Sequence, residues 1–184
     1  MSLCMTAAEM RALTGLNFET DALAESAILA AQQVAEGYVG RALVLEDQDE
    51  VFCLNGRRSV LLHAYPVDSL ISVTLDGVEV ENCEVLEGSG VLTLPLDAPP
   101  GDWLRVRYAG GFAPEDVPQP VKVACALIWL AITQATDNHG QQVVTERLDG
   151  YSVTYISPSQ AVGGLDRLAP AAAALLSPYR GKAW

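Results

Sequence analysis

Basic residues are scarce in this sequence, histidines scarcer still, and long apolar runs are missing. The chain has 11 Lys and Arg against 23 Asp and Glu, for a net charge of −12. Neutralising nucleic-acid phosphates needs clustered cations, so tight wrapping of nucleic acid is not expected and a DNA-gripping role is disfavoured. The longest apolar stretch, Val121 to Thr133 at its widest, already contains Lys122 and falls short of the roughly 20 residues a membrane-spanning helix needs. No basic segment leads into an apolar run near the start, so no secretory signal is expected and the protein is expected to stay in the cytoplasm where it is made. Cys4, Cys53, Cys83 and Cys125 lie far apart, with no CxxC pair and no histidine at ligand spacing. They are expected to be buried thiols, not a metal site.

What is present suffices for a core. Half of the 184 residues are apolar, and a chain of this length buries roughly 70% of its unfolded surface, which suits a single domain. Thr6 and Glu9 have capping-box spacing, in which each side chain satisfies an amide left free at a helix start. Gly15 interrupts the pattern. Thr20 or Asp21 then caps a second helix in which Leu23, Ala27, Ala30, Val34 and Tyr38 recur at helical spacing, and Gly40 stops it. Alanines along this helix let neighbouring helices approach closely.

From about residue 50 to 111 the texture becomes β: Val51 to Leu54, Ser59 to His63, Leu70 to Leu75, Val78 to Val85, Val91 to Leu94 and Trp103 to Tyr108. Asn55-Gly56 and Asp76-Gly77 are hairpin dipeptides, and Pro66, Gly88 to Gly90 and Pro99-Pro100-Gly101 mark the other breaks. In the last run Arg105 and Arg107 share one face, and Leu104, Val106 and Tyr108 the other. Pro118 and Pro120 introduce a third helix over about 121–136, apolar on nearly every side and therefore central. An extended arm follows over about 141–157, then a final helix over about 165–176 despite Pro170, and a short tail. Helices over about 6–39, 121–136 and 165–176 around an antiparallel region predict an α+β fold, with the β region inserted into a helical core.

Catalytic constellations are hard to assemble from these residues. His63, at a strand end, and His139, in a loop, have no GxSxG-type nucleophile beside them. Glu46, Asp47, Asp49 and Glu50 lack the glycine and distal glutamate of a calcium loop and read as a solvated loop. Glu79, Glu81 and Glu84 imitate a paired-carboxylate site, which leaves an acid-dependent hydrolase as the rival of a different class. Their alternation with Val78, Val80 and Val85 is also that of a solvent-facing strand. Gly88-Ser89-Gly90 lacks the lysine of a phosphate loop. No catalytic, cofactor-binding or metal-ligating set is expected.

Four segments carry a resemblance. They are Ala35-Glu36-Gly37-Tyr38-Val39-Gly40-Arg41-Ala42-Leu43; Tyr65-Pro66-Val67-Asp68-Ser69-Leu70-Ile71-Ser72-Val73; Val106-Arg107-Tyr108-Ala109-Gly110-Gly111-Phe112 with Val117-Pro118-Gln119-Pro120-Val121-Lys122; and Leu175-Leu176-Ser177-Pro178-Tyr179-Arg180. In this order the chain resembles the head–tail connector, or head-completion adaptor, proteins of long-tailed phages and prophages. These segments also serve the fold. Gly37 and Gly40 end a helix that Tyr38 anchors in the core, Pro66 fixes the start of a strand, and Gly110-Gly111 turns the chain sharply toward Pro118 and Pro120.

The resemblance implies a non-enzymatic virion protein, assembled in the host cytoplasm. It implies a ring, dodecameric in the particle, docked on the portal with a stopper or tail-completion protein below it and DNA passing through unbound. A ring demands a heterologous contact between subunits. The acidity of the chain is compatible with a channel wall that repels DNA, and equally with simple solubility. Another neck protein, a stopper or tail-completion subunit, is the rival within the class. In the tail, Tyr179, Arg180, Lys182 and Trp184 join aromatic anchors to positive charge and are the candidate portal-docking residues. The competing expectation is that Tyr179 folds back to cap the last helix.

Overall fold

The computed structural model describes residues 2–86, 88–97, 99–137, 142–145, 154–156 and 165–180. It is an α+β fold of two compact units: Met5–Val39 with Pro118–Trp184, which is helical, and Met1–Cys4 with Gly40–Val117, which holds the larger sheets. The β region is thus inserted into a helical core built from the N-terminal, central and C-terminal parts of the chain.

In the helical unit, α1 (Ala7–Thr14) opens on the capping box: Thr6 Oγ1 accepts from the Glu9 amide and Glu9 Oε2 accepts from the Thr6 amide. Gly15, at φ 68°, closes it. Thr20 accepts from the Leu23 amide at the start of α2 (Asp21–Val39). The buried stripe of α2 is displaced from the predicted one. Ala24, Ala27, Ile28, Ala31, Ala35 and Val39 face inward, whereas Leu23 and Val34 are exposed and Tyr38 is half-buried. The alanine flank wins because small side chains let partner helices come near, and Ile28 and Val39 lie on that flank.

Helix α3 (Gln119–Asp137) is the centre of this unit, with Val121, Ala124, Cys125 and Ile128 buried. It packs on α1, α2 and the C-terminal helices. The predicted final helix is two: α4 (Leu165–Leu168) and α5 (Pro170–Leu176). Proline lacks the amide needed in mid-helix and pushes its predecessor out of helical geometry. Ala169 accordingly sits at φ −145°, and Pro170 takes the first helical position.

In the sheet unit the strands are β1 (Glu46–Cys53), β2 (Ser59–Leu61), β3 (Val67–Leu75), β4 (Val78–Glu79), β5 (Glu84–Leu86), β6 (Val91–Thr93) and β7 (Trp103–Gly110). They form two antiparallel sheets, β1-β7-β3-β4 and β2-β6-β5. The arm contributes a separate antiparallel pair, β8 (Gln142–Thr145) and β9 (Thr154–Ile156). Leu54, Leu62, Leu92, Leu94, Leu104, Val106 and Tyr108 fill the core of the sheet unit. Each such side chain contributes on the order of 2 kcal/mol by leaving water.

Two strand expectations are corrected. The acidic run Glu46, Asp47, Asp49 and Glu50 is not a loop but the first half of β1, because every residue of it finds a partner on β7. Carboxylates suit this place, since charge on an edge strand discourages unwanted strand pairing. The predicted strand Val78 to Val85 is broken at Asn82, whose φ of 58° is incompatible with an extended run, so β4 and β5 belong to different sheets. Val51 to Leu54, Leu70 to Leu75 and Trp103 to Tyr108 were strands in outline and are longer in the structure.

Gly110 and Gly111 are where glycine is required. A Cβ on Gly110 would lie 2.6 Å from the Ala64 carbonyl oxygen. One on Gly111, at φ 115°, would lie 2.5 Å from that of Val44. Here Phe112 and Val44 form a bridge beside the sheet, and the Gly111 amide donates to the Pro66 carbonyl.

Candidate interaction surfaces

The four-stranded sheet has one face on the core and one in solvent, and the alternation of β7 dictates which residues go where. Leu104, Val106 and Tyr108 point inward, and Trp103, Arg105 and Arg107 outward, as the sequence predicts. Register places Cys53 opposite Trp103, Val51 opposite Arg105 and Asp49 opposite Arg107. On this outer face the Arg105 guanidinium binds Asp49 diagonally through two hydrogen bonds, Nε to Oδ1 at 2.8 Å and Nη2 to Oδ2 at 2.6 Å. The guanidinium fork matches a carboxylate in this two-bond geometry. Arg105, by that hydrogen bond, holds the Asp49 carboxyl below the usual range, with the charge of Arg107 adding to it. Around the arginines stand Trp103, 57% exposed, and Val51, 56% exposed. A register shift between Leu70 and Ser72 leaves Ile71 of β3 exposed as well.

On the inner side Glu50 ties the two sheets together. Its carboxylate accepts from the His63 amide, pairs with His63 Nδ1 at 2.8 Å and accepts from the Tyr108 hydroxyl. That hydroxyl in turn accepts from the Ala64 amide at 2.9 Å. Burial first, and Glu50 second, push the Tyr108 phenol well above its ordinary value. The exposed His63 ring stacks on Phe52. A carboxylate–imidazole–phenol chain resembles a proton relay, but here the carboxylate's acceptor sites are taken by His63, just past β2, and by Tyr108 on β7 of its own sheet, so the arrangement fixes geometry.

Glu79, Glu81 and Glu84 are not one carboxylate row. Glu79 is on β4, Glu84 on β5 in the other sheet, and Glu81 between them, all exposed. Among the described residues no group of three His, Cys, Asp or Glu is placed to hold a metal ion, and no helix is long and apolar enough to cross a membrane. Of the cysteines, Cys4 and Cys125 are buried as expected, Cys83 is half-buried, and Cys53 is exposed, because its position in β1 faces outward.

Of the tail candidates, Tyr179 is half-buried at the end of the 3₁₀ turn Ser177–Tyr179, and Arg180 is exposed. The Arg180 guanidinium sits 5.1 Å from the centre of the Tyr38 ring, whose hydroxyl donates to Asp166 at 3.1 Å. Burial first and Asp166 next raise the Tyr38 phenol. Tyr38 is therefore a clamp for the C-terminal segment and not the core anchor the sequence suggested. Lys182, Trp184 and His139 lie outside the described residues.

These features define an α+β chain with a helical core and an inserted pair of sheets, one of which keeps an open, aromatic and charged face. The chain belongs to the head completion protein family, whose model matches residues 4–160. No curated protein sequence matches it. Solved structures share the fold at low identity. A chain from the virion of a native gene transfer agent particle is 18% identical, with a TM-score of 0.59 over 100% of this chain and 94% of that one. A chain from the neck of the native particle, computed with C12 symmetry, gives 18% and 0.58 over 97% and 89%. One from the neck of the empty particle, computed with C6 symmetry, gives 18% and 0.55 over 98% and 91%.

Proposed function

We propose that this protein is a head–tail connector, a non-enzymatic virion subunit that forms a ring on the portal and lets DNA pass toward the tail. Membership of the head completion family across residues 4–160 is the observation that carries this reading. A fold shared with chains from particle necks computed with C6 and C12 symmetry supports a cyclic assembly, and twelve subunits as its number in the particle. The net charge of −12 supports passage of DNA without adhesion, because carboxylates repel phosphates. A stopper or tail-completion protein is the expected neighbour below the ring.

Portal docking is assigned to the C-terminal tail, Tyr179, Arg180, Lys182 and Trp184. Arg180 rests on the Tyr38 ring and does not bond a carboxylate in the described residues, so it is available to exchange that ring for a partner's acceptor at modest cost. The test is the solution mass by light scattering, alone and with portal, for the full chain and for a chain truncated after Leu176. Rings that bind portal, with portal binding lost and the fold kept on truncation, support the reading. A strictly monomeric protein that ignores portal overturns it.

A further inference from the structure

Among the described residues, the outer face of β1-β7-β3-β4 keeps Val51, Trp103, Arg105 and Arg107 exposed. It carries Trp103, Val51 and an arginine pair, and aromatic and arginine side chains are the ones that dominate binding energy at protein interfaces. We infer that this face is the docking site for a second copy of the same chain, which presents its edge strands β4 and β5 with the turn between them. The inference rests on the ring reading above and names the surfaces that make the ring.

Charge decides between occupants. Arg105 is already neutralised by Asp49, and Asp47 and Asp49 line the β1 side of the same face. A polyanion such as DNA would meet carboxylates there, so one unneutralised guanidinium cannot hold it. That guanidinium is Arg107, which acts on Asp49 only through its charge and has no ion pair among the described residues. An exposed carboxylate of a partner protein, with apolar neighbours, is what it fits.

The edge strands β4 and β5, with the turn between them, supply both. Glu81 and Glu84 are exposed there, flanked by Val78 at 69% and Leu86 at 65% exposure, among the most exposed large apolar residues of the chain. Exposed apolar residues of this size on either side of two carboxylates fit an arginine- and tryptophan-bearing face in both chemistry and sign. In the strand order, β4 is the far edge from β1. Face and edge are therefore different surfaces of one compact unit, and joining face to edge is heterologous: it propagates from copy to copy, and closes as a ring where the rotation per copy divides a full turn.

The experiment uses the full chain and three forms: wild type, Arg107→Glu, and a charge swap combining Arg107→Glu with Glu81→Arg and Glu84→Arg. All substituted side chains are exposed, and circular dichroism verifies their folding. Assembly is followed by light scattering against concentration, and Cys53, exposed opposite Trp103 on the face, is labelled with a maleimide and mapped by mass spectrometry. The expected result is an assembly midpoint raised at least about tenfold by Arg107→Glu, recovery in the swap, and slow Cys53 labelling in assembled wild type. Assembly of Arg107→Glu at the wild-type midpoint, or equal Cys53 labelling in ring and monomer, overturns the inference while leaving the ring intact. Loss without rescue overturns the pairing of this face with that edge. Wild type that stays monomeric at every concentration overturns the ring reading itself and this inference with it.

Discussion

The two units solve the problem of a core in different currencies. In the helical unit alanine is the commonest buried residue of α2, α3 and α5 among the described residues: Ala24, Ala27, Ala31, Ala35, Ala124, Ala126, Ala172 and Ala173. Backbones come close, and each residue gives up little side-chain entropy. In the sheet unit they are Leu54, Leu62, Leu92, Leu94, Leu104 and Tyr108, larger groups held by pairings distant in sequence, since β1 and β3 both wait for β7. The helical unit therefore tolerates an added methyl group wherever its surface is open. The sheet unit does not, because its strands meet backbone to backbone around two glycines.

One methyl group placed in each unit breaks that comparison most sharply. Gly111→Ala puts a Cβ 2.5 Å from the Val44 carbonyl at a φ that disfavours any side chain. Neither the backbone bridge nor the Gly111 amide bond to Pro66 has room to shift, and the expected cost is about 3 kcal/mol. Gly37→Ala, in α2 with nothing near its Cβ, is expected to stabilise by about 0.5 kcal/mol. Urea denaturation of both variants measures the difference, and equal midpoints would refute the contrast.

Charge inside the helical unit is the next test. Lys122 is buried on α3, and its ammonium meets Glu9 at 2.8 Å, so the capping carboxylate of α1 serves two helices. Removing Glu9 leaves a buried ammonium unpaired and the α1 cap open. Glu9→Ala is expected to cost about 2 kcal/mol and Lys122→Met less than about 1 kcal/mol, because an apolar side chain of similar size needs no partner. The Lys122 hydrogen bond, followed by the Thr6 amide, holds the Glu9 carboxyl below its ordinary value. A depressed folded value means that this contribution is complete above the unfolded carboxylate range and is lost as pH falls through the folded value. The gap between wild type and Glu9→Gln should be full at neutral pH and close in strong acid. A gap that is constant with pH would show that Glu9 acts only through shape.

Local rules made much of this visible from sequence alone. Thr6 and Glu9 announced the first helix, Gly15 and Gly40 the helix ends, and Trp103 to Tyr108 the inward and outward faces of β7. What stayed hidden was set by partners far along the chain. Lys122 looked like an interruption in an apolar helix because its acceptor is 113 residues away. Acidic β1 looked like a loop because strand pairing with β7, not its own composition, makes it a strand. The Arg105–Asp49 pair follows from that same register, so the outer face could be read as two arginines on β7 but not as a patch with one charge left over. The placement of Arg180 was equally out of reach: nothing near it in sequence points to the Tyr38 ring.

The smallest expected effect on stability separates folding from assembly on that face. Asp49 and Arg105 are both exposed, so their two hydrogen bonds replace equally good ones to water and are screened by salt. Asp49→Asn is expected to leave the urea midpoint unchanged within error. The same substitution frees the Arg105 guanidinium beside Arg107, doubling the unneutralised charge that awaits an acidic edge. If a second copy docks there, the assembly midpoint of Asp49→Asn falls to lower concentration, most clearly at low salt, while the folded monomer is indifferent. An unchanged assembly midpoint at low salt would mean that the arginines on β7 face solvent in the ring as they do in the single chain.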